Sequence, residues 1–260
     1  MHRFWIVLLL IMVNSLGCAG SKPNRIELPP GARIGILNVL ESQLTHVDIG
    51  LLRFDSATHV YPVDWDLPGF FNRLIEKELR ARGCRTFIPL AVDAPTGWNP
   101  SLSNDILSAV NARMPGELEA FLGQIGEEKR LDAIISVSSY DSQNWQAGSC
   151  FEISKNPVST KGYGLFTWTK LPSGLSNQLP IGHDTKTPYA NIIVSVFIPR
   201  PAALIAFDHA PCTRSNLPDL PWAGDHRLLS PEAIRQLKPQ IEKLGAEAVQ
   251  SALVKAGLLP

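Results

Sequence analysis

The chain predicts an α/β fold with a mixed central sheet, an antiparallel meander late in the sequence and flanking helices, and three observations carry this. Short, mostly apolar runs begin at Arg33, Arg85 and Leu131, as strands buried on both faces require. Between them lie stretches with apolar residues at 3.6 spacing, the period of a helix covering a sheet. Beyond residue 140 the strand-like runs follow one another without a helical interruption until Ser230, where a long amphipathic segment closes the chain. That order gives crossover units first and hairpin-linked strands afterwards.

Taken in order, RIGILNVL from Arg33 to Leu40 is the first core strand. The stretch from Leu44 to Asp64, LTHVDIGLLRFDSATHVYPVD, is rich in Thr, Val, Ile and Tyr and is interrupted at Asp55 and Ser56, so it predicts a hairpin. Asp66 caps the next helix, with Pro68 in its first turn, because a carboxylate there accepts from backbone N–H groups that have no partner inside the helix. Leu67, Phe71, Leu74, Ile75 and Leu79 share one face, opposite Arg73, Lys77, Arg80 and Arg82. Gly83 ends the helix and RTFIPLAV is the second core strand. A Pro/Gly/Asn loop from Ala94 to Pro100 leads to helical segments over Asn104 to Asn111 and Gly116 to Glu128, then to the third core strand, LDAIISVSSY.

GYGLFTWTK from Gly162, YANIIVSVFIP from Tyr189 and ALIAFDHA after the Pro199-Arg200-Pro201 turn form the meander. Ser230-Pro231-Glu232 opens the terminal helical segment. Pro239 should divide it, since proline lacks the N–H and its ring crowds the preceding turn. The part beyond it turns Ile241, Leu244, Ala248, Val249, Ala252 and Leu253 inward and stops at Gly257.

Ahead of this body stands a leader. Arg3 is followed by ten unbroken apolar residues, Phe4 to Val13, then by the small residues Ser15 and Gly17. The run is half the length of about 20 residues that a spanning helix needs, so residues 1–17 predict an export signal. Its end, Ser15-Leu16-Gly17-Cys18, resembles the lipobox of bacterial lipoproteins, although Leu16 stands two residues before the cysteine rather than three. The resemblance implies cleavage before Cys18, a covalent lipid on its thiol and, with Ala19 rather than Asp following, an outer-membrane position facing the periplasm. An ordinary signal peptide cut near Gly17 or Gly20 is the alternative. Residues 18–30, small and Pro-rich from Ala19 to Pro30, are then a tether, and residues 31–260 a single α/β domain.

The 24 basic and 24 acidic residues balance, and no Lys/Arg cluster points to nucleic acid. Of the four cysteines, Cys84 follows the helix-ending Gly83 and is expected as a small buried thiol. Cys150 and Cys212 fall at opposite ends of the expected meander, which argues against their pairing.

The element order, carried by RIGILNVL, FFNRLIEKELRARG, RTFIPL and IEKLGAEAVQSALVKAGL, resembles the outer-membrane lipoproteins of the curli-secretion and penicillin-binding-protein-activator type. Their fold is similar to the amino-terminal domain of the Tol-system beta-propeller protein. The resemblance implies assembly, secretion or the binding of an envelope protein partner without a catalytic centre. The chain departs from that pattern in the excursion from Leu44 to Asp66 and in its loop-rich meander.

Three groups of residues are candidates for chemistry or recognition. His46, Asp48, His59, Asp64 and Asp66 form the densest polar cluster; His46 and Asp48 share a strand face, a hairpin brings His59 alongside, and imidazole with carboxylate can ligate a divalent metal such as zinc. Asp208 and His209 with Cys212, and Asp225 with His226, offer groups for a nucleophilic site, while Asp64 and Asp66 offer a carboxylate pair for glycosidic cleavage. No G-x-S-x-G or HExxH motif is present. Trp145 and Trp222, in turn-rich stretches, are candidate partner anchors. The leading expectation is a non-catalytic, lipid-anchored envelope protein. Its rivals are a metal-dependent or hydrolytic envelope enzyme built on the His46 to Asp66 cluster and a binder of a small ligand at the end of the sheet.

Overall fold

The computed structural model describes residues 25–49, 57–84, 86–90, 100–111, 113–141, 162–168, 185–210, 217, 220, 222–223 and 225–260. The first sheet contains β1 (Arg33–Val39), β4 (Thr86–Leu90), β5 (Ala133–Ser139), β8 (Ile192–Pro199) and β9 (Ala202–His209) in the order β4-β1-β5-β8-β9. β4, β1 and β5 run parallel, and β8 and β9 complete the sheet antiparallel. The α/β class and the antiparallel meander are thus present, but the meander does not simply widen one sheet. β2 (Gln43–Ile49), β3 (Ala57–Pro62), β6 (Tyr163–Trp168) and β7 (Thr185–Ala190) form a second sheet ordered β3-β2-β6-β7. A small ladder joins β10 (Trp222–Ala223) to β11 (Asp225–Leu229).

The four helices among the described residues are α1 (Leu67–Arg80), α2 (Pro100–Asn111), α3 (Gly116–Lys129) and α4 (Pro231–Lys255). α1 and α4 cover one face of the first sheet, where Phe71, Ile75 and Ile241 join Ile34, Ile36 and Val194 in the main core. α2 and α3 cover the other, with Ile106 and Leu122 against Leu37, Ile134 and Phe197. Coverage of both faces explains the unbroken apolar runs in β1, β5 and β8.

At the passage from β7 to β8 the two sheets are joined by one residue. Asn191 separates β7 from β8; its N–H donates to the Gly162 carbonyl (2.7 Å), and its own carbonyl accepts from Tyr140 N–H (2.9 Å). Within the second sheet, a side chain at Gly164 would meet the Thr45 carbonyl oxygen at 1.7 Å, so the parallel β2–β6 approach requires glycine there.

Three local expectations change. α4 is continuous from Pro231 to Lys255 with Pro239 inside it. Pro239 is exposed, so its ring faces water, while the buried Leu237 and Ile241 on either side hold the helix on the core. α2 starts at Pro100 rather than Asn104, proline being well suited to a first helical turn. The body begins before residue 31: Ile26 is buried in the main core, Leu28 packs against it, and Ile26 N–H donates to the Ala256 carbonyl (2.9 Å). Proline-rich composition hides these two apolar residues from a reading as tether.

Candidate functional site

The excursion forms the hairpin its composition predicts. β2 and β3 pair antiparallel with His46 opposite His59, and β2 pairs with β6 in parallel, placing Asp48 opposite Thr167. Alternation along the strands puts His46, Asp48, His59 and Thr167 on one face. The two imidazole centroids are 6.0 Å apart. His46 Nε2 lies 2.9 Å from Thr167 Oγ1, which in turn donates to Asp48 Oδ1 at 2.8 Å. His46, Asp48 and Thr167 are all buried.

The direction of this chain decides what it can do. Threonine has one hydroxyl proton. Because Asp48 takes it, the hydroxyl accepts at His46, which must carry its proton on Nε2. A nucleophilic triad runs the other way, with the imidazole accepting the hydroxyl proton and the carboxylate orienting the imidazole. Here the hydroxyl bridges base and acid, and it ties β6 to β2 in register. His59 Nε2 is buried and has no hydrogen-bond partner among the described residues.

The other members of the expected cluster are elsewhere. Asp64 is exposed in the connection after β3. Asp66 caps α1 as expected, accepting from Gly69 N–H at 2.9 Å, and also pairs with Arg73 at 3.2 Å in exposed surroundings. Among the described residues no group of three or more His, Cys, Asp or Glu side chains is arranged to hold a metal ion.

A second constellation, invisible in the order of residues, forms where β9 meets the last turns of α4. Ser251 Oγ donates to Asp208 Oδ2, and Lys255 Nζ lies 3.0 Å from the same oxygen. His209 donates its backbone N–H to Asp208 Oδ1 (2.9 Å), with its Nδ1 3.6 Å away. Burial pushes the Asp208 carboxyl up, but donation from Ser251 and Lys255 outweighs it and holds the group below its ordinary value. Burial pushes the His209 imidazole down, Asp208 partly opposes this, and Lys255 adds to it. A carboxylate so stabilised is a weak base, and Ser251 keeps its proton while donating a hydrogen bond to it. The arrangement clamps the edge strand β9 to α4.

Of the remaining candidates, Cys84 is a buried free thiol, raised by burial as expected for a structural cysteine. Trp222 lies on β10 opposite Leu229, and Asp225 and His226 on β11. Cys18, Trp145, Cys150 and Cys212 lie outside the described residues. Sequence reasoning missed Thr167, Ser251 and Lys255; the four-residue spacing of Ser251 and Lys255, which puts both on one helix face, is the one signal that pointed to them. No protein-family model matches the chain, and no curated protein matches it.

Proposed function

We propose that this is an exported envelope lipoprotein, anchored in the outer membrane by a lipid on Cys18, facing the periplasm, with an α/β body that binds or assembles a protein partner without catalysing a reaction. The observation that carries the proposal is the leader: a basic residue, ten apolar residues and Ser15-Leu16-Gly17-Cys18. Support for the non-catalytic part comes from the body. In both clusters described above a hydroxyl donates its hydrogen bond to a carboxylate rather than to an imidazole, an arrangement that differs from a nucleophilic triad. Trp145 and Trp222 are the proposed contacts to the partner, since tryptophan is enriched among the residues that anchor interfaces.

The mature amino-terminal peptide, taken from membranes of cells expressing the full chain, tests the anchor. An acylated Cys18 at its start, with Cys18→Ala chain released to the soluble fraction, is the expected result. A free amino terminus beyond Cys18 overturns the proposal. Changing Trp145 and Trp222 together to Ala should abolish co-purification of the envelope partner while leaving the unfolding midpoint unchanged.

A further inference from the structure

The way the body joins its anchor limits how it can stand on a membrane, and we infer that the carboxyl-terminal end of α4, with the adjoining Asp208 corner of the first sheet, is its membrane-facing side. The inference rests on the anchor proposed for Cys18. Arg25 is the first described residue, and its side chain lies against Gly257, where an added Cβ would meet Arg25 Cβ at 3.1 Å. Ile26 is bonded to Ala256 and buried. The chain therefore enters the body at the carboxyl-terminal cap of α4.

Two lengths then exclude the opposite orientation. The seven residues from Cys18 to Arg25 can span at most about 25 Å even when fully extended. α4 has 25 residues and is about 37 Å long. With the amino end of α4 pointed at the bilayer, Ala256 would stand farther from the surface than the chain can reach; with the carboxyl end pointed at it, any extension of the chain suffices.

The helix links the two sheets in the same sense. Gly245 lies over Ile192, the first residue of β8, and Ser251 and Lys255 reach Asp208 on β9, while α4 also packs on β6 and β7. Just before the helix, Leu229 N–H donates to the Tyr61 hydroxyl on β3 (3.1 Å), so the amino end of α4 lies toward the second sheet. The tethered end carries Val254, an apolar side chain 44% exposed, and the exposed cations Arg25 and Lys255, a mixture suited to lipid headgroups and the upper acyl region. The second sheet, with its outer strand β3, is directed away from the bilayer toward whatever the protein binds.

Photo-crosslinking in the full lipidated chain tests this. Benzoylphenylalanine is placed at Val254, at Gln250 one turn earlier, or at Val60, which is 53% exposed on β3. Irradiation in vesicles of phosphatidylethanolamine and phosphatidylglycerol should give several-fold more phospholipid adduct at Val254 and Gln250 than at Val60, read by mass. A Gly/Ser insert of about 30 residues between Gly20 and Ser21, with an r.m.s. span of about 30 Å, should bring the three positions toward equality. Equal or reversed labelling with the natural tether overturns the inference, whereas a Val254 preference that survives the insert supports the orientation and assigns it to the face carrying Val254, Arg25 and Lys255 rather than to the reach of the chain. The amino-terminal peptide from the same sample separates the two ideas: unacylated Cys18 removes the anchor itself, whereas acylated Cys18 with equal labelling removes only the orientation.

Discussion

Asp208 accepts from the Ser251 hydroxyl, sits 3.0 Å from the Lys255 ammonium and takes its neighbour's backbone N–H, so its charge is built into the packing of α4 on β9. Asp208→Asn should lower stability by about 1–2 kcal/mol, because hydrogen bonds to a charged group are replaced by neutral ones and Lys255 is half exposed. The depressed carboxyl pKa means that the unfolded chain binds the proton more readily. This stabilisation is complete above the ordinary value of 3.8 and is lost as pH falls through the lower folded value. His209 acts in a different window. Its imidazole is held below 6.5, so between that value and the folded one the unfolded chain again binds more protons, and stability falls as pH drops from 7 toward 5. Denaturation at pH 7 and pH 5 should show a smaller loss in His209→Gln than in the parent chain. Thr167→Val keeps the volume but removes the hydroxyl between His46 and Asp48, leaving both buried polar groups without it, at a cost of about 3 kcal/mol in urea denaturation. At this scale the sequence is legible only for short separations. His46 and His59 can be placed together because a hairpin fixes its own register. Thr167 joins them through a parallel pairing more than a hundred residues away, and Ser251 meets Asp208 only once α4 has docked, so no local signal gave either contact, although the spacing of Ser251 and Lys255 put those two on one helix face.

The elements themselves were more readable, since periodicity reports burial directly. Leu67, Phe71, Ile75 and Leu79 are the buried face of α1 as their spacing predicts, and RIGILNVL and LDAIISVSSY are core strands because helices lie on both sides of them. The division of the strands into two sheets had no such signal. β7 and β8 are separated by Asn191 alone, and a change of sheet within one extended run leaves hydrophobic alternation intact. Pro239 shows a propensity overridden by packing: the helix loses one hydrogen bond there but keeps its buried face across the gap. Pro239→Ala restores the donor and relieves the ring contact, while loosening the unfolded chain by less. It should raise stability by about 1–2 kcal/mol, as measured by denaturation midpoint at unchanged slope. Gly164→Ala tests the opposite situation. Its Cβ would fall 1.7 Å from a backbone oxygen, which no rotamer change can relieve, so β2 and β6 must separate and about 3 kcal/mol or more should be lost.

For the whole molecule, the decisive feature is where the first described residues go. Ile26 and Leu28 lie on the core built around α4, and Ile26 closes a hydrogen bond to Ala256, so residues 26–28 belong to the fold and pin one end of α4. A purely flexible connection would leave stability independent of where the chain is cut. The structure implies a sharp dependence instead. A chain starting at Arg25 should unfold at the same urea concentration as one starting at Cys18, because every described packing contact is kept. A chain starting at Gly31 loses the buried Ile26, the contact of Leu28 and the bond that caps α4. Burial of one such side chain contributes about 1.5–3 kcal/mol, so a loss of about 3 kcal/mol is expected for the segment. The loss should appear as a lower midpoint, with fraying first in the last turns of α4 by hydrogen exchange, where Ala256 and Gly257 lose their partners. Equal midpoints for the two chains would mean that residues 25–30 add nothing to the body. The reach of the chain from Cys18 would then be counted to the start of β1, and the carboxyl end of α4 would no longer be held within the shorter length of the membrane.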